Sequence, residues 1–191
     1  PDGVVAVVSD HGFAPVQHDV NLYAPFIQAG LLSVKDGKVT DWQAAPWNDG
    51  GSAAIMLRRP DDAALKARVA TLLATLQHDP DYAIGELLDH RQLLAKGGAA
   101  GASWFVVFKP GYEMGINPAA PALGPAHYEG MHGYDPSRPD QRATFLIAGK
   151  GVPAGRNLGL IDMRDIAPTL AQLLGARMPQ AQGKSLFEAA R

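Results

Sequence analysis

The run Val4-Val5-Ala6-Val7-Val8 passes directly into Ser9-Asp10-His11-Gly12, and no other stretch constrains the fold as strongly. A β-branched run of this kind reads as a strand buried on both faces of a parallel sheet. Ending it on Asp-His puts a carboxylate and an imidazole where the strand gives out into a loop. In open α/β sheets that is where ligands bind. The two side chains suit zinc, and Gly12 lets the backbone turn away at once. The pair by itself fits equally a loop in which Asp10 caps a turn and His11 is simply hydrogen-bonded.

A second histidine narrows the choice. Gly130-Met131-His132-Gly133-Tyr134-Asp135-Pro136 places a Gly-flanked His132 in a turn, and Ala143-Thr144-Phe145-Leu146-Ile147-Ala148-Gly149 follows as an apolar strand. Asp165-Ile166-Ala167-Pro168-Thr169-Leu170-Ala171-Gln172-Leu173-Leu174-Gly175 then reads as a helix. Asp165 is its N-cap, Pro168 lies in its first turn and Gly175 is at its C-terminal cap. Taken in order, SDHG, HGYDP, FLIAGKGV and DIAPTLAQLLG resemble the alkaline phosphatase superfamily. More narrowly, they resemble the type I phosphodiesterase/nucleotide pyrophosphatase family. The resemblance covers residues 1–20 and 120–191 well and the middle more loosely.

The resemblance implies an α/β fold: an alkaline-phosphatase-like sheet core, here its C-terminal part, from residues 1–22 and 118–191, with an inserted α+β subdomain over 23–117. It implies a hydrolase of small-molecule phosphoesters or nucleotides that uses two divalent metal ions, zinc in most such enzymes, in an in-line two-metal clamp. By the same resemblance Asp10 and His11 are ligands of the ion beside the nucleophile, and His132 is a ligand of the second. Each His then needs an acceptor for its other ring N–H. Asp135 is a candidate for that role or, as the residue before Pro136, for ordering the turn. Family members of this kind suggest a periplasmic or secreted setting.

The family pattern also has parts not matched here. An earlier Asp ligand, a Thr or Ser nucleophile at a helix N-terminus, and an Asp and His at i, i+4 ordinarily precede SDHG, which starts here at Ser9. The expectation is therefore a C-terminal piece of a longer enzyme, with its nucleophile outside this chain and the isolated chain inactive. The parent would attack phosphorus with inversion, and water would then release a phosphoryl-enzyme. Phosphatase, sulfatase and phosphonate-hydrolase chemistry stay open, as does a non-catalytic binding domain that keeps the fold. Sheet edges left open by missing strands invite dimerisation or strand exchange.

Composition excludes other classes. A net charge of −2 without runs of like charge argues against a nucleic-acid polymer as partner. No apolar stretch is long enough to cross a bilayer. The chain has no cysteine, so a zinc site must use His and carboxylates, as open catalytic sites do.

Between the motifs, Phe13 to Ala24 reads as loop with a short helix near Val20–Tyr23. Asp36-Gly37 between two apolar runs predicts a type I′ hairpin. Gln43 to Gly51 reads as loop and Ser52 to Arg59 as a strand. A helix starts at Pro60-Asp61-Asp62, with Leu65, Val69, Leu72, Leu73 and Leu76 on one buried face. Strands are predicted over Ala83–Leu88 and Ser103–Lys109, with a short helix at Leu93-Leu94 between them. Glu86 and His90 would share a helix face only if that segment were helical. Strand and turn suit it as well, which makes them a solvated pair. His18, His78 and His127 read as surface or loop histidines, with a substrate-facing role the alternative for His127. Trp42, Trp47, Trp104 and Tyr112 are candidates for stacking on a base or sugar, or for packing the insert's own core. Gln182 to Arg191 reads as a surface tail ending in a short helix.

Overall fold

The computed structural model describes residues 3–187. In chain order the elements are β1 (Val4–Val8), β2 (Ala14–Val20), α1 (Tyr23–Gln28), β3 (Leu32–Lys35), β4 (Lys38–Trp42), β5 (Ala44–Asn48), β6 (Ser52–Leu57), α2 (Ala63–His78), β7 (Ile84–Asp89), α3 (His90–Ala95), β8 (Trp104–Phe108), β9 (Gly111–Met114), β10 (Leu123–Pro125), β11 (Gly130–Met131), β12 (Phe145–Gly149) and α4 (Ile166–Leu173). This is a mixed α/β chain of several sheets and few helices, grouped into two compact units: residues 1–10 with 143–191, and residues 11–142. Segments 11–22 and 118–142 group with the hairpin-and-helix region because β2 is hydrogen-bonded to β9, β10 and β11. No helix among the described residues is long and apolar enough to cross a membrane.

In the smaller unit β1 pairs antiparallel with β12, from Val4 opposite Gly149 to Val8 opposite Phe145. This corrects the sequence reading of a doubly buried parallel strand. Val5, Val7 and Val8 are 68%, 57% and 53% exposed, and among the described residues β12 is the only partner of β1. A β-branched run states strand propensity but carries no signal for the direction of its partner or for what covers its faces.

Helix α4 forms where expected, but Asp165 does not cap it. Its carboxylate accepts the Lys184 N–H at 2.8 Å and makes no bond to the helix's own first turn. Thr169 Oγ1 accepts the Leu186 N–H at 2.9 Å. The described part of the tail is therefore pinned to α4, with Phe187 buried, rather than loose on the surface. The short helix expected at the chain end falls on residues 188–191, outside the described residues. At the other end of α4, the Ala176 N–H reaches Ala171 O at 2.8 Å and the Gly175 N–H reaches Gln172 O at 3.0 Å. This is the Schellman pattern that a left-handed Gly175 permits.

The larger unit is built on a four-stranded sheet in the order β5-β6-β8-β7. Ile55, Val106 and Phe108 of the sheet share one core with Leu65, Val69, Leu73 and Leu76 of α2, the stripe that helical spacing predicted. Asp62 caps α2, accepting the Leu65 N–H at 2.9 Å. Asp62→Ala is expected to cost about 1 kcal/mol, read as a shift in urea midpoint with unchanged slope.

The β3–β4 hairpin turns at Asp36 (φ 51°) and Gly37 (φ 72°), the left-handed pair that a type I′ turn requires. Two predicted loops are strands instead. The segment read as loop around Pro46 is β5, where Pro46 is tolerated because β5 is a sheet edge. Phe13–Ala24 contains β2, the centre of a second sheet. β2 pairs parallel with β9 and antiparallel with β10 and β11, all drawn from more than 90 positions away.

Candidate metal-ligand site

The larger unit brings two of the three predicted ligands together. The rings of His11 and His132 stack with centroids 4.2 Å apart and planes 18° from parallel. Phe13 stands beside both, at 5.4 Å from His11 and 5.9 Å from His132. Asp10 precedes His11 in sequence and belongs to the smaller unit.

Backbone packing positions each imidazole. The Gly12 N–H donates to Gln141 O at 2.9 Å. A Cβ at Gly12 would come within 2.2 Å of the Asp140 carbonyl. Gly12 is therefore required for close approach, which holds the SDHG turn against the segment after HGYDP. Beyond β11, the turn carrying His132 is clasped by the loop after β5. The Gly51 N–H donates to His132 O at 2.8 Å, and Ser52 Oγ donates to Gly133 O. Gly133 has φ +80°, and a Cβ there would fall 1.7 Å from the Asp49 carbonyl oxygen. Tyr134 anchors the far side, donating from its hydroxyl to Tyr112 O at 2.7 Å. Burial, and secondarily the charge of Glu113, push its phenol up to about 12.

The tautomer of His11 follows from its partner. Nδ1 lies 2.8 Å from Gly12 O. A carbonyl only accepts, so Nδ1 carries the hydrogen in the neutral ring, and the lone pair is on Nε2. A second ring nitrogen held by a backbone carbonyl is the usual support of a metal-binding histidine. The donor chemistry therefore fits a borderline cation such as zinc. No three His, Cys, Asp or Glu side chains among the described residues are arranged as a cage.

Asp135 acts as a turn residue. Its carboxylate accepts the Ser137 N–H at 2.8 Å and Lys96 Nζ at 2.6 Å, and those bonds, Lys96 first, hold it down to about 2. Sequence reading missed Asp49. Burial pushes its carboxyl up, and the charge of His132 partly offsets that. A carboxylate thus stands within electrostatic reach of His132, in a stretch whose Gly50-Gly51 signalled only a loop.

The remaining candidates separate. Glu86 lies in β7 while His90 opens α3, so they share no helix face, and His90 Nδ1 is 2.8 Å from Ala102 O. Trp47 is 70% exposed. Trp42 carries the Arg58 guanidinium 5.0 Å above its ring, and Tyr112 stacks on His18 at 5.0 Å.

No protein-family model and no curated protein sequence matches the chain. Among solved structures it is similar to human ectonucleotide pyrophosphatase/phosphodiesterase 5, with a TM-score of 0.61 and 18% identity over 95% of this chain and 43% of that one. The murine counterpart gives a TM-score of 0.46 and 16% identity over 76% of this chain and 34% of that one. An inactive form of the murine protein in complex with AMP gives 0.46 and 16%, over 76% and 33%. The human protein's identity of 18% establishes a shared fold, and this chain spans less than half of that protein's length.

Proposed function

We propose that residues 1–191 form part of a two-metal phosphoester hydrolase of the phosphodiesterase/nucleotide pyrophosphatase type. The observation that carries the reading is the face-to-face pairing of His11 and His132, 121 positions apart in sequence, on a fold shared with an ectonucleotide pyrophosphatase/phosphodiesterase. In this reading Asp10 and His11 hold one divalent ion, zinc by preference, and His132 holds a second. Bound ions would supply Lewis-acid stabilisation of charge on the phosphoryl oxygens and on the attacking hydroxyl. The chain's own residues bind and orient. Gly12 O fixes the His11 tautomer, and the Gly51 N–H and Ser52 hold the His132 turn.

The test is zinc-dependent turnover by the natural full-length protein on a p-nitrophenyl nucleotide diester, with the monoester beside it. Faster diester turnover is expected, lowered by His132→Ala at least about 100-fold together with zinc content, as befits a direct ligand. Turnover of the monoester alone would move the protein to a phosphatase. Unchanged zinc content and turnover in His132→Ala would overturn the ligand assignment. Absence of turnover on either ester would favour another ester class or a binding domain.

A further inference from the structure

A cavity of about 230 Å³ in the larger unit has Asp19, Glu113, Met114, His127, Tyr128 and Met131 in its wall. The parallel register of β2 and β9 sets Asp19 directly opposite Glu113. Glu113 is 1% exposed, and neither of its carboxylate oxygens has a hydrogen-bond partner. Asp19 lies close enough for its charge to bear on Glu113, but no bond between them has hydrogen-bonding geometry. Asp19 commits Oδ1 to the His127 N–H at 3.2 Å. No Lys or Arg lines the cavity.

A buried carboxylate without a partner costs several kcal/mol, and native proteins meet such groups with water, an ion or a ligand. The chemistry of the wall selects among these. No third His, Cys, Asp or Glu among the described residues joins the pair to make a metal cage. The two methionine thioethers and the half-exposed Tyr128 ring instead suit an organic group. Unpartnered carboxylate oxygens need N–H donors, which a primary ammonium has and a quaternary ammonium lacks.

We propose that this cavity is a binding site for a compact primary-ammonium group, held between Glu113 and Asp19. If the hydrolase reading also holds, the site would seat the amine of an aminoalkyl phosphoester. That extension rests on the hydrolase reading, whereas the binding itself does not.

The experiment is calorimetric titration of the full-length protein with ethanolamine at pH 8, with choline as the comparison and no phosphoester present. Saturable ethanolamine binding is expected, with choline at least tenfold weaker. Glu113→Gln and Asp19→Asn should each lose tenfold or more in affinity while their thermal melts show a folded protein. Equal binding of choline, unchanged affinity in Glu113→Gln, or no saturation by about 10 mM, a weak limit even for so small a ligand, would overturn the site and leave the acid pair a structural contact. Binding without ester turnover would uphold the site while counting against the hydrolase reading.

Discussion

Gly133→Ala is expected to destabilise the larger unit by more than about 3 kcal/mol and to disorganise the His132 turn with it. Two costs combine. A φ of +80° is strained for any L side chain, and a Cβ there would sit 1.7 Å from the Asp49 carbonyl oxygen. Backbone cannot yield as a flexible side-chain tip can, so relief requires the turn to part from the loop after β5. That parting breaks the Gly51 N–H bond to His132 O, 2.8 Å long, and the Ser52 bond to Gly133 O, the two contacts that fix where His132 stands. Gly30→Ala is the control. Its φ is +65°, but a Cβ there meets nothing within 4 Å, so backbone strain alone should cost about 1 kcal/mol. Urea unfolding of both variants separates the terms. Equal losses would show that the contact with Asp49 contributes nothing. A larger loss at Gly133 with zinc affinity unchanged would count against the proposed ligand role of His132.

What the sequence made legible follows the range of the interactions. The hairpin at Asp36-Gly37 and helix α2 with its apolar stripe are set by neighbours within a few residues, and both stand as read. SDHG and HGYDP were readable as motifs because glycine marks the close approaches on which each turn depends. β2 was not readable. Its buried Ala14, Val16 and Val20 alternate with Pro15, Gln17 and Asp19 too weakly to outweigh a loop reading, and its partners come from residues 111–131. Pro46 hid β5 for a similar reason, since only tertiary placement at a sheet edge makes a strand proline acceptable. The acid pair was equally out of reach. Asp19 and Glu113 are 94 positions apart and meet only through the parallel pairing of two strands, one of which was not predicted. Asp49 near His132 is a third case, brought there by the loop clasp rather than by any motif.

Glu113→Gln is expected to stabilise the protein at alkaline pH and to do little at acid pH. Burial first, and then the neighbouring Asp19 carboxylate, push the Glu113 carboxyl from 4.5 up to about 7. The folded state therefore holds this proton more tightly than the unfolded chain does. The stability contributed by that preference is fully present below pH 4.5 and is lost as pH rises through about 7. At about 1.4 kcal/mol per pKa unit, the loss is on the order of 3 kcal/mol, undiminished by solvent because Glu113 is 1% exposed. Glutamine keeps the shape and cannot ionise, so the difference between variant and wild type should be small at pH 4.5 and grow to that size by pH 8. The titratable groups about Glu113 are Asp19 from β2, Tyr134, and His127 and Tyr128 in the same cavity wall. Tyr134 stays protonated throughout this range, and Asp19 is the charge that bears on Glu113. Asp19→Asn should therefore flatten the wild-type pH slope without abolishing it, because burial remains. Ethanolamine at pH 8 should close part of the gap between wild type and Glu113→Gln, since an ammonium partner removes the cost that glutamine avoids. Parallel stability curves for wild type and Glu113→Gln between pH 5 and 8 would show that the buried carboxyl is satisfied in solution by some other group, and would remove the physical ground for a ligand there.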